Sequence, residues 1–485
     1  MLLRLSKPAG GFYQRVKLVW GMALDRGTMT PAAGRAAMAF RLVLVAGLLL
    51  SLAANLPGHL SVDSVIALEE ARTGVRQTWA PAVSSWLLGL FDGIVAGTGL
   101  YVTASAALLF LSLASLTRLR TRASWAAPLL ALGVVLTPQV LIYQGIVWRD
   151  VLFANLAIAG FIFIAHAARD WEVRRPVVAL AAAWLCLALA ALVRQNGVIL
   201  VVAAAVVLAW TARGRGWRSS LAWGLGGLAA TLLLAAAINH VAQPPEVPAK
   251  LRPNAAALIL QHYDIIGAKA HHPALRFTVI DRAAPAAGQI LEQQAPKFYS
   301  AARIDPLDQD DLVRRTLWHV PDQVMSAQWR EVILHEPAAY LLHRADVFRW
   351  VLLTPHLDQC LPVTVGVAGP PEMMANLEMV TGIEPQDQAL GDYAARFYAT
   401  PVYSHLTWVL VALAVSGLLL LRRDPADWVI VALEAGALLF VASFFVISVA
   451  CDYRYLYLLD LAAMTGVLYL ALDPITWPAR RKSGA

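Results

Sequence analysis

Four short polar sequences interrupt the long apolar runs of this chain, and each carries side chains that could do chemistry. The first is Asp63-Ser64 in VDSVIALEEARTG, with Glu69 and Glu70 behind it. A carboxylate there can accept a proton as general base or hold a cation. The same residues open a short amphipathic helix over 62–72, and Asp63 has the alternative role of helix cap. The second is Trp148-Arg149-Asp150. Arg149 suits an anionic head group, while Trp148 can serve simply as an interfacial anchor. The third is Arg194-Gln195-Asn196-Gly197, where Arg194 has no acidic neighbour in sequence. A guanidinium among apolar residues needs a partner, either a carboxylate from another helix or a phosphate. Its planar fork binds both bidentately. The fourth is Asp452-Tyr453-Arg454-Tyr455, two charges among aromatics, which also reads as an anchor with an internal ion pair.

The elements that position these groups are membrane spans. Of 485 residues 59% are hydrophobic and 15% charged, against about 25% charged in soluble domains. With a mean hydropathy of +0.60, a soluble globular chain and a disordered one are both excluded. The net charge of +7 comes from 39 Lys and Arg against 32 Asp and Glu. No basic–aromatic motif accompanies it, so it does not indicate nucleic acid. A bilayer core takes about 20 apolar residues as helix. Ten runs qualify: 38–56, 98–116, 125–145, 151–168, 177–193, 197–211, 221–239, 405–421, 427–449 and 455–473.

Basic residues orient them. The segment holding Arg4, Lys7, Arg15, Lys17, Arg26 and Arg35 precedes the first run, which reads as a signal anchor rather than a cleaved leader. Alternation from a cytoplasmic N-terminus puts Arg118, Arg120 and Arg122 in a cytoplasmic loop. The same holds for Arg169, Arg174 and Arg175, for Arg213, Arg215 and Arg218, for Arg422 and Arg423, and for the tail with Arg480, Arg481 and Lys482. All fall on one side, as the positive-inside rule requires. The four polar sequences then share the outer face, together with a first outer loop over 57–97.

Residues 241–404 are too polar to span and too long for an idle loop. They open with the Pro-rich QPPEVPAK and are expected to form a small extracytoplasmic domain. Its tail, WREVILHEPAAYLLHRADVFRWVLL, has helical periodicity and is expected to rest on the membrane surface. The chain thus divides into an N-terminal membrane region (1–240), this domain, and a C-terminal membrane region (405–485). The cysteines, Cys186, Cys360 and Cys451, match no zinc spacing, and their odd number argues against a disulfide framework. Cys186, inside an apolar run, is expected in the core.

In this order the motifs resemble those of bacterial polytopic glycosyltransferases of the GT-C superfamily, which use lipid-phosphate sugar donors. One GT-C-like branch has an acidic-Ser pair in the first outer loop, Trp-His-Pro-Pro, Lys/Arg-Asp before a span, Arg-x-Asn-Gly and a late Arg-Tyr-Leu-Tyr. Here these are Asp63-Ser64, Trp79-Ala80-Pro81-Ala82, Arg149-Asp150, Arg194-Gln195-Asn196-Gly197 and Arg454-Tyr455-Leu456-Tyr457. Tyr263-Asp264-Ile265 and Trp329–Arg344 are also similar. The family's His is Ala80 here, a departure that removes whatever that His does in relatives.

The resemblance implies an all-α, GT-C-like membrane protein of the bacterial inner membrane, with both termini cytoplasmic. It implies inverting sugar transfer outside the cytoplasm from a polyprenyl-phosphate donor to a glycan, lipid or protein acceptor. Asp63 would be the base or a metal ligand, with or without a divalent cation such as Mg or Mn. Arg149, Arg194 and Arg454 would stabilise the phosphate, with Asp150, Asn196, Asp452 and Tyr455 beside them, and Glu69, Glu70 and Trp79 as secondary candidates. Two other classes stay open, a transporter or flippase of lipid-linked saccharides and a non-catalytic GT-C-like protein. A transporter would more often place such residues at mid-span around broken helices.

Overall fold

Apolar runs that are long and unbroken become straight spans in the computed structural model, which describes residues 30–171, 176–244, 247, 248, 252 and 254–474. The basic segment through Arg26, the pair Arg174 and Arg175, half of QPPEVPAK, and Arg480, Arg481 and Lys482 lie outside the described residues. Among the described residues every regular element is helical, and β-pairing is limited to isolated bridges.

Eight helices among the described residues are long and apolar enough to cross a membrane: Pro31–Asn55, Gly99–Leu119, Arg149–Arg169, Gln195–Arg215, Trp217–Val241, His405–Arg422, Pro425–Ile447 and Tyr453–Leu472. The run at 125–145 is instead a bent pair, Ala126–Val135 and Pro138–Gly145, with 72° between them. Pro138 explains the bend, since it donates no N–H and its ring clashes with the preceding turn. The run at 177–193 is a 17-residue helix, Val177–Val193. It stops because Arg194 leaves helical geometry at φ −131°, ψ 124°. Arg149–Arg169 and Tyr453–Leu472 are the most enclosed spans. Small residues allow this: Gly160 lets Leu187 approach to where a Cβ would stand only 3.0 Å away, the close packing that small residues permit between membrane helices.

The bundle has two distinct ends. At one, Ser115 Oγ meets His166 Nε2 at 2.9 Å and Arg215 donates to the Trp171 carbonyl. Arg120 pairs there with Asp424 and Asp427, and Arg422 with Asp427 at 2.7 Å. Arg41 donates to Thr117 Oγ1 and Ser124 N–H to Leu472 O, so the first and last described spans join this basic end. At the opposite end the His59 N–H donates to Gly145 O and the Leu60 N–H to Gly366 O. The four polar sequences are gathered there.

The 241–404 segment is not one body. Helices from Ala255–His271 to Pro337–Leu353 enclose a separate core around Tyr263, Phe277, Leu291 and Val347. Beyond Leu353 the chain returns to the span core, into which Met374, Leu377, Ala394 and Tyr403 are packed. The tail with helical periodicity forms two helices, Asp322–His335 and Pro337–Leu353. Pro337 breaks it, because proline disfavours the helical region for the residue before it. The second helix docks on a span, with the rings of Phe348 and Phe445 5.8 Å apart.

Cysteine arithmetic misled. Cys360 and Cys451, 91 residues apart in sequence, form a disulfide. Cys186 is the odd thiol and is buried as expected. The bond ties the segment after the 255–353 helical body to the link before the last span.

Candidate functional site

In the loop after the first span, Ser61 caps the Val62–Thr73 helix in a reciprocal box with Ser64. Ser64 Oγ also donates to Val147 O at 2.7 Å, fastening the helix start to the turn before Arg149. Asp63 is therefore not the cap. Its side chain is 54% exposed and accepts from Arg454 Nη2 at 2.6 Å. Partial burial pushes this carboxyl up, but Arg454, Arg149 and Arg194 outweigh it and hold Asp63 below the usual carboxylate range.

Arg454 is a hub. The same Nη2 lies 3.1 Å from Asp452 Oδ2, and Nε is 3.9 Å from Asp150 Oδ2. The guanidinium sits over the Trp148 ring at 4.9 Å. Asp150 is buried and pairs with Arg194 Nη1 at 2.7 Å, so the guanidinium that lacked an acidic neighbour in sequence has a carboxylate from another helix. Arg194 also lies over Tyr455 at 5.1 Å and Phe444 at 5.6 Å. Three carboxylates and two guanidiniums thus interlock, a geometry that low dielectric makes strong when complete and costly when broken.

Arg149 stands apart. It makes no hydrogen bond or ion pair among the described residues, and its Nε is buried without a partner. Its guanidinium lies over the Trp79 ring at 5.7 Å. A cavity opens between Arg149, Asp63, Arg454 and Trp79, with Ala67, Leu88, Tyr101 and Val147 as an apolar wall. The remaining sequence candidates lie around it rather than in it. Asn196 Nδ2 donates to Ser443 Oγ at 3.0 Å, holding the turn after Arg194 on the Pro425–Ile447 span. Asp452 backs Arg454, and Tyr455 lies beneath two guanidiniums. Glu69 accepts from Asn376 at 2.7 Å.

Glu70 borders the cavity with its carboxylate fully engaged. It accepts the N–H groups of Gln77 and Thr78 at 2.7 and 2.8 Å and the Ser85 hydroxyl at 2.7 Å. That folds the turn presenting Trp79. Arg76 completes the turn by donating to the carbonyls of Thr78 and Ala80, in the stretch where the resembled family has histidine.

Asp63 is governed by Arg454, Arg149 and Arg194, and among the described residues no three His, Cys, Asp or Glu side chains converge to hold a metal ion. The surroundings of Asp63 therefore do not fit a divalent cation.

Sequence reading missed Arg303, whose Nη2 lies 3.5 Å from Asp452 Oδ1. It also missed His59, which accepts the Gly366 N–H at Nδ1 and meets Asn55 Oδ1 through Nε2. No local pattern marks either residue. The Tyr263-Asp264 and Trp329–Arg344 elements do come together, but in the separate core of the 255–353 helical body. Asp264 pairs there with Arg344 and with His343 at 3.2 Å, and accepts from Trp329 Nε1 at 2.7 Å. No family model, no curated protein and no solved structure matches this chain.

Proposed function

We propose that the chain is an integral membrane glycosyltransferase that moves a sugar from a polyprenyl-phosphate donor to an acceptor at the cavity. The observation that carries this is Arg149, a guanidinium in no ion pair and with its Nε unpartnered, beside the Asp63–Arg454 pair in a cavity at the end of a membrane bundle. A phosphate diester supplies a direct ion-pair partner. Trp79 offers a flat apolar face to a sugar, and the apolar wall suits the first isoprene units.

In the proposed step the acceptor oxygen attacks the anomeric carbon as the bond from that carbon to the phosphate oxygen breaks. The acceptor proton goes to Asp63, and the electron pair leaves on the polyprenyl phosphate. That leaving group is stable as an anion, so charge stabilisation by Arg149 and Arg454 matters more than protonation. Asp63 paired to Arg454 is a weak base. A donor phosphate that shares Arg454 weakens the pair and makes Asp63 more basic once substrate is bound.

Two observations support a cavity facing outward from a bacterial inner membrane, with both chain ends in the cytoplasm. The described basic loops lie at the opposite end, as the positive-inside rule requires. The Cys360–Cys451 bond joins the cavity end, which suits an oxidising compartment. A second reading, transport of lipid-linked saccharides, is favoured by Glu434. This residue is fully buried in the middle of a span with neither carboxylate oxygen partnered, as transport pathways often require.

Proteoliposomes given a labelled polyprenyl-phosphate sugar separate the two. Transfer to an acceptor that is lost in Arg149→Ala supports the transferase. Movement of label across the bilayer without transfer overturns it.

A further inference from the structure

Between the Pro425–Ile447 span and the last span the chain crosses five residues, Ser448–Asp452. Each is held by the outer segment. Arg344 Nη1 donates to Ser448 O at 2.7 Å. The Ile304 N–H donates to Val449 O at 2.9 Å. Ala450 forms an antiparallel bridge with Arg303. Cys451 is bonded to Cys360, and Asp452 faces Arg303.

The anchors are themselves fixed. Arg303 donates to Gln359 O, beside the disulfide. Arg344 is fully buried and paired with Asp264 in the core of the outer body. So short a link between two packed spans has few conformations to lose, and a handful of anchors adds little to holding the spans together. What they do fix is the direction in which the chain enters the last span. Asp452 and Arg454 lie at that entry, and the charges then run Arg303, Asp452, Arg454, Asp63 from the outer body to the first outer loop.

We infer that Arg303, Arg344 and Cys360 are positioning residues: they hold the Ser448–Asp452 link so that Asp452 aims the Arg454 guanidinium at Asp63. The catalytic consequence rests on the proposed transferase site, whereas the positioning itself does not. The outer body thereby sets the geometry of the cavity through a single link, and a load on that body reaches Arg454 directly.

The test uses the full chain in lipid nanodiscs, with hydrogen–deuterium exchange read peptide by peptide. Arg303→Ala and the double variant Cys360→Ser/Cys451→Ser should raise exchange over 448–456 by about tenfold, the scale of one lost buried anchor. A smaller rise should follow over 60–66, through Asp63, with 149–169 and 457–472 unchanged. Arg303→Lys should return most of the protection. If a variant does not fold, wild type with and without a reductant gives the same comparison on one sample. Unchanged exchange over 448–456, or an equal rise along the whole chain, overturns the inference.

Transfer from a labelled polyprenyl-phosphate sugar, measured on the same samples, separates the two ideas. The exchange pattern without transfer by wild type sinks the transferase and keeps the positioning. Transfer by Arg303→Ala at the wild-type rate overturns the catalytic part of the inference.

Discussion

Of the three aspartates around Arg454, two differ sharply in burial: the Asp63 side chain is 54% exposed and that of Asp150 is 3% exposed. The same substitution at each should therefore have opposite consequences. In Asp63→Asn, Arg454 keeps Asp452 at 3.1 Å and the helix keeps its Ser61–Ser64 cap. The lost pair is half in water, so its removal costs no more than about 1 kcal/mol. The proton acceptor is gone, and transfer should fall by about 10²-fold or more. In Asp150→Asn, a buried charge that meets Arg194 at 2.7 Å is removed and leaves that guanidinium uncompensated, a loss of about 3–5 kcal/mol. The assay pairs initial rates in proteoliposomes with thermal unfolding of the same preparations. An Asp63→Asn protein that unfolds like Asp150→Asn would refute the burial argument, and one that transfers at the wild-type rate would refute Asp63 as base.

The pH dependence follows from the sign of the Asp63 shift. Its folded value is held below the ordinary carboxylate value. Its contribution to stability is thus present above the unfolded value, about 3.9, and is lost as pH falls through the lower folded value. An Asp63-dependent acid limb in kcat/KM lies below about pH 4, while the limb in kcat lies higher, because bound phosphate shares Arg454. Arg194→Lys keeps a charge near Asp150 but loses the fork and the stacking on Tyr455. It should destabilise the fold with the donor KM unchanged, and a raised KM in a stable protein would instead put phosphate at Arg194. Glu70→Gln should loosen the turn at 74–80, seen as faster exchange there, whereas Glu69→Gln should leave that turn as it is. Reporter fusions after Arg122, Arg215 and Arg423 should read cytoplasmic and one near Lys297 external; a cytoplasmic reading near Lys297 would reverse the orientation.

What the sequence made legible is what depends on neighbours along the chain. Span positions follow from unbroken apolar runs, and even the break at Pro138 has a local cause. The four polar sequences meet at one end because each lies at a span terminus, and alternation alone puts such termini on a common side. Pairing was not legible. Arg454 and Asp63 are 391 residues apart and Arg303 and Asp452 are 149, distances at which no periodicity operates. The same gap explains the disulfide, whose partners are 91 residues apart. Asp63 was open to a capping role because the Ser61 that performs it is an equally good local candidate. Glu70 looked like a spare carboxylate because nothing in the sequence shows that a turn folds around it.

The short helix beside the cavity also bears on the lipid. At ~1.5 Å per residue the 17 residues of Val177–Val193 cover about 26 Å, less than the ~30 Å hydrocarbon thickness of a typical bilayer. The neighbouring Ala82–Asp92 helix is shorter still. A bilayer meets such a pair by thinning, which draws the head groups at the cavity end toward Arg149. For the proposed donor, the membrane itself then does part of the delivery, and acyl-chain length becomes a variable that acts on turnover without touching a residue.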